Sequence, residues 1–219
     1  MLNQSGNLDT TAANVSLGPV ANVHITGGSS GQVLRTDGAG VLSFSNSIAG
    51  IQNYSNILTG VTGSNATGPQ NIIGVGVTLS GSTVYQFQAN FNLYKSAGTT
   101  NHTFSFLWGG TATTNKLLTN LLVQQSTIGY VTYNAARSVN QYTMENASAM
   151  IITSAITNTF YTINIQVSGI VSVNAGGTLI PQYSLSVAPG GAYTTSAGSN
   201  MSIWPIGSAG TTLSVGSWA

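Results

Sequence analysis

Between positions 84 and 95 the side chains alternate without a break: Tyr85, Phe87, Ala89, Phe91 and Leu93 interleave with Gln86, Gln88, Asn90, Asn92 and Tyr94. A period of two puts one set on each face of an extended chain, so the pattern predicts a half-buried β-strand whose odd-numbered residues face a core. The stretch 161–173 repeats it, with Tyr161, Ile163, Ile165, Val167, Val171 and Val173 on one face and Thr162, Asn164, Gln166, Ser168 and Ser172 on the other. Shorter segments with the same habit occupy 72–79, 102–108, 116–124, 149–153, 179–187, 201–206 and 212–218. Between them lie clusters such as Ser96-Ala97-Gly98-Thr99 and Pro189-Gly190-Gly191, whose residues favour turns. Nothing of helical period lasts three turns. About eight or nine short strands at this spacing predict an all-β chain, an antiparallel jelly-roll β-sandwich over residues 51–219.

The first fifty residues differ, with small residues, isolated apolar ones and frequent glycine, and they predict an extended N-terminal arm, 1–50. Within it, 32–36 and 41–44 flank Asp37-Gly38-Ala39-Gly40, an Asp-Gly signal for a β-hairpin. A lone two-stranded hairpin is marginal in water, so this one needs another surface to lie on. The arm's apolar residues Val15, Leu17, Val20, Val23, Ile25, Val33, Leu34, Val41, Leu42 and Phe44 are too dispersed for a core and too many for a solvated tail. They are the candidates for attachment to a partner. Residues 47–71 read as a connection with one early strand near 53–58. No internal repeat of fixed period is evident.

Charge narrows the function. Of 219 residues, four are Lys or Arg and three Asp or Glu, a charged fraction of 3% where a soluble domain ordinarily has about 25%. Arg35, Lys95, Lys116 and Arg137 are scattered, so they predict neither a nucleic-acid-binding stripe nor a patch for an anionic membrane. A hydrophobic fraction of 42% opposes disorder. Cysteine is absent, which removes disulfides, thiolate metal sites and a cysteine nucleophile. The opening Met1-Leu2-Asn3-Gln4-Ser5-Gly6 lacks a basic and then apolar secretory pattern, and apolar runs such as 149–152 are far below the roughly 20 residues of a membrane helix. The expectation is a chain with no signal-directed export and no membrane span.

Candidate chemistry is sparse. Gly27-Gly28-Ser29-Ser30-Gly31 matches G-x-S-x-G, and Asp37 and His102 follow in hydrolase order. A nucleophile elbow needs a strand, a sharp turn and a helix on a parallel sheet, whereas this motif precedes a hairpin in an all-β chain. Glycoside hydrolysis needs two carboxylates about one bond, and Glu145 is the only acid outside the arm residues Asp9 and Asp37. His24 and His102 stand apart with no acidic pair nearby, which opposes a metal site, and no phosphate-loop spacing occurs. The expectation is a non-enzymatic protein without cofactor or metal.

Two stretches resemble known modules. Residues 17–40, including Gly31-Gln32-Val33-Leu34 and Thr36-Asp37-Gly38, resemble a module of virion structural proteins of tailed phages. Tyr85-Gln86-Phe87-Gln88-Ala89, Phe106-Leu107-Trp108-Gly109-Gly110, the run 169–182 and the closing Val215-Gly216-Ser217-Trp218-Ala219 are similar to phage surface domains of the tumour-necrosis-factor or complement-head type. That resemblance implies a homotrimeric jelly roll on the virion. Low charge also leaves little repulsion between copies, and aromatics favoured in interface cores make Tyr94, Trp108, Tyr183 and Trp204 the interface candidates. The implied role is a capsid decoration (cement) protein that binds the major capsid protein on the outer shell, with no nucleic-acid or membrane partner. The alternative is a tail-fibre or receptor-binding tip, with Tyr130, Tyr133 and Tyr142 stacking on host glycans.

Overall fold

The computed structural model describes residues 27–28, 33–36, 39, 41–45, 53–127 and 138–209. The chain divides into two compact units, Met1–Ile48 and Ala49–Ala219.

In the first unit, β1 (Val33–Thr36) and β2 (Leu42–Ser45) form an antiparallel hairpin, with Leu34 opposite Phe44 and Thr36 opposite Leu42. Residues two apart on a strand share a face, so Leu34, Thr36, Leu42 and Phe44 lie together. Phe44 rests on Gly28, where a Cβ would come within 2.6 Å of its ring. Leu34 and Leu42 remain exposed.

The second unit is an antiparallel β-sandwich, with no helix among the described residues. Its strands are β3 (Asn53–Asn56), β4 (Val61–Thr62), β5 (Gln70–Asn71), β6 (Val77–Leu79), β7 (Thr83–Lys95), β8 (Phe104–Gly109) and β9 (Thr113–Ser126). They continue with β10 (Ser138–Met144), β11 (Met150–Ile151), β12 (Tyr161–Ala175), β13 (Gly177–Leu185), β14 (Tyr193–Thr195) and β15 (Asn200–Ser208). The larger sheet runs β10-β9-β12-β7, after which β15 and β14 lie end to end along the other side of β7, flanked in turn by β3 and β4. The smaller sheet runs β11-β8-β13, with β5 and β6 both on the far side of β13.

The period of two explains the layers. Phe87, Phe91 and Leu93 of β7 and Ile163, Ile165 and Val167 of β12 point inward, meeting Phe104, Phe106 and Trp108 of β8 and Leu179 and Tyr183 of β13 in one cluster. The Trp108 ring crosses Phe87 edge-on at 5.1 Å, and its Nε1 donates to the Thr119 hydroxyl of β9 at 2.9 Å. Gly169 interrupts the apolar face of β12 opposite Phe87. A Cβ there would meet Phe87 Cζ at 2.6 Å as well as the Leu118 carbonyl, so the missing side chain makes room for the aromatic ring.

Several expected strands are redrawn. The segment 72–79 yields only β6, while Ile72 and Ile73 are buried from an irregular connection. The segment 102–108 starts later, since His102 makes only an isolated bridge to Ile156. Strands β10 and β14 occur where no strand was expected, and the segment 212–218 lies outside the described residues.

Candidate interaction surfaces

The outward face of the larger sheet is a register of uncharged polar groups. Asn200, Asn90, Gln166, Leu122 and Gln141 sit side by side across β15, β7, β12, β9 and β10. The neighbouring row is Ser202, Gln88, Ser168, Asn120 and Thr143. All of these but Thr143 line an open groove of about 560 Å³. Asn164 Nδ2 ties β12 to β7 by donating to Asn90 Oδ1 at 2.9 Å and Asn92 Oδ1 at 2.6 Å. Beyond the groove, the next row places Trp204, Gln86, Ile170 and Leu118 together. From that row to the one holding Tyr94 and Thr162 no position carries a charge. A water-facing surface ordinarily has about 25–35% charged residues.

The interface candidates therefore separate. Tyr94 and Trp204 stand half-buried on this outward face, near its opposite ends. Trp108 and Tyr183 lie inside the sandwich, 4% and 1% exposed, with Trp108 bonded to Thr119 and the Tyr183 hydroxyl donating to Gln70 Oε1 at 2.8 Å. They are core residues. Of the attachment candidates, Leu34, Val41 and Leu42 are 40%, 63% and 58% exposed on or beside the hairpin, Phe44 covers Gly28, and Val33 lies in β1. Val15, Leu17, Val20, Val23 and Ile25 lie outside the described residues. So do Tyr130 and Tyr133, while Tyr142 is a correction: it packs against the core, and its hydroxyl donates to the Ile152 carbonyl at 3.1 Å. A ring so placed is no open platform for a sugar.

The chemically richest spot is buried. Lys95, the inward-facing last residue of β7, is 1% exposed and donates from Nζ to the carbonyls of Ala97, Gly98 and Asn158 at 3.3, 2.7 and 2.5 Å. Burial holds its pKa below the ordinary lysine value. His102, also buried, places Nδ1 2.7 Å from the Thr100 carbonyl and Nε2 2.9 Å from the Tyr193 hydroxyl. Tyr161 bonds Gln125 through its hydroxyl, and burial, with a smaller contribution from Tyr142, pushes its phenol up to about 12. Burial likewise raises Tyr183 to about 12 and Tyr193 further. The alternation put Lys95 and Tyr161 on inward faces, but the sequence offered no signal that groups them with His102 and Tyr193, because the members come from separate segments.

Glu145, the acid outside the arm, is exposed and 3.6 Å from Lys116. Among the described residues no group of three or more His, Cys, Asp or Glu could hold a metal ion. No helix there is long and apolar enough to cross a membrane.

No protein-family model matches the chain, and no curated protein matches it in sequence. Among solved structures it aligns with a chain of the structure of infectious bursal disease virus, Gx strain, at 10% identity over 84% of this chain and 46% of that one, with a TM-score of 0.16. A chain of the Gt-strain structure aligns at 11% identity over 76% of this chain and 43% of that one, with a TM-score of 0.13. The protein thus spans less than half the length of either. Both neighbours are of viral origin, but at these scores the likeness carries no argument about fold or function.

Proposed function

We propose that this chain is a non-enzymatic structural protein of a tailed-phage virion, a homotrimeric capsid decoration (cement) protein on the outer shell, bound to the major capsid protein through its N-terminal arm. The observation that carries this reading is the hairpin of the first unit. Among the described residues its apolar face carries Leu34 and Leu42, both exposed, beside Phe44, which rests on Gly28, and a two-stranded hairpin is marginal in water by itself. Burying them against a capsid sheet, with backbone pairing along the hairpin edge, would offset the entropy of ordering the arm.

Support for a trimer comes from the uncharged outward face of the larger sheet, since interface cores are depleted of charge and amide groups offer both donors and acceptors to a second copy. Strand order supports a jelly roll: β3/β4, β15/β14, β7 and β12 face β5/β6, β13, β8 and β11, with the β9–β10 hairpin added beyond β12.

The test is the copy number per virion. Hundreds of copies support a shell protein; a few dozen or fewer would place the chain in the tail. Sedimentation equilibrium of the isolated protein checks the trimer, which a stable 22.4 kDa species would remove.

A further inference from the structure

Where β7 ends, three segments meet over a buried lysine and a buried histidine. Residues 96–103 are tied to 153–160 by paired bonds between His102 and Ile156, 3.2 Å from His102 N and 2.7 Å from Ile156 N. They are tied to the segment before β14 by Thr100 N to the Pro189 carbonyl at 3.3 Å and Ser186 N to the Thr103 carbonyl at 3.1 Å. Lys95 joins 96–98 to Asn158 through its ammonium. The imidazole sits at the centre of this convergence.

We propose that this corner is an acid-operated latch: neutral His102 holds the segment 96–103 against 153–160 and Tyr193, and protonation of His102 releases it. The bond to Thr100 assigns the tautomer of the neutral ring. A carbonyl only accepts, so Nδ1 carries the hydrogen toward Thr100, and in a neutral ring Nε2 must then accept from the Tyr193 hydroxyl. A proton added at Nε2 turns this acceptor into a donor. Tyr193 must swing its own hydrogen away, yet it is fully buried and His102 is the hydroxyl's only hydrogen-bond partner among the described residues. The new charge also faces the Lys95 ammonium.

Among the described residues nothing ionisable around the ring offsets that charge. Lys95 comes from β7 and Tyr193 from β14, with Tyr161 of β12 and Tyr183 of β13 behind Tyr193. The phenols stay neutral in acid, Phe104 and Ile156 carry no titratable group, and Glu145, the only carboxylate among the described residues, is exposed beside Lys116. Burial is the main cause that depresses the His102 pKa, the Thr100 bond opposes it, and Lys95 adds to the depression. The open state therefore binds more protons than the closed one, so the latch is whole above the ordinary histidine value, about 6.5, and weakens as pH falls below it. The three carbonyls around Lys95 Nζ accept three hydrogens, the full complement of an ammonium.

Hydrogen exchange on the full chain at pD 7.5 and 5.0, corrected for intrinsic rates, tests the latch. The amides of Thr100, His102 and Ile156 should lose protection at the lower pD relative to those of Phe91 and Ile165. Histidine NMR in a His24→Asn background should show His102 taking up its proton over the same interval. His102→Gln, which can still donate and accept but not titrate, should abolish the differential. An unchanged ratio, or loosening while the ring is still neutral, overturns the proposal; both readings come from chains that keep His102, so they decide even if His102→Gln does not fold.

Discussion

The two units place apolar side chains on β-strands with opposite outcomes. In the sandwich, β7 and β12 present Phe87, Phe91, Ile163 and Ile165 to a second sheet that covers them almost completely. In the hairpin, Leu34 and Leu42 share one face of a two-stranded pair and stay exposed. A sheet face becomes a core only when another layer closes over it. The same residue types thus form a core in one unit and, at Leu34 and Leu42, stay at the surface in the other.

Substitutions in the two units should differ in their effect on the unfolding free energy of the sandwich, measured in denaturant. The largest loss is expected for Phe87→Ala, about 3–5 kcal/mol, because the ring is fully buried between Gly169 and Trp108. Gly169→Ala should follow at about 1–3 kcal/mol, since the methyl meets the Leu118 backbone as well as the Phe87 ring. Thr119→Val should cost roughly 1–2 kcal/mol by leaving the Trp108 Nε1 hydrogen unpaired beside a fully buried site.

Leu34→Ser with Leu42→Ser should change sandwich stability by less than about 0.5 kcal/mol, as exposed positions do, while abolishing attachment to expanded capsid shells. A larger stability loss would show that the hairpin is part of the sandwich's own fold, and undiminished attachment would show that the sandwich makes the contact. The smallest effect belongs to Lys116→Ala, about 0–0.5 kcal/mol, because its pairing with Glu145 is solvent-exposed and screened.

The sequence alone determined the all-β class, the inward residues of β7 and β12 and the Asp-Gly hairpin, because alternation and turn chemistry act within a few residues. It did not reveal β10, whose outward Val139, Gln141 and Thr143 blur the alternation against inward Tyr142 and Met144. In β9 the inward Thr119 and Gln125 break the apolar pattern, and each is held by a partner distant in sequence: Trp108 for Thr119, Tyr161 and the Ile152 carbonyl for Gln125. Lys95 falls on the inward parity of β7, but nothing in the sequence paired it with His102. Only the tertiary structure brought Asn158 to the ammonium and Tyr193 to the imidazole. An apolar side chain carries its preference for the interior wherever it stands, whereas a polar one is buried only where the fold supplies its hydrogen bonds, and those partners can come from anywhere in the chain.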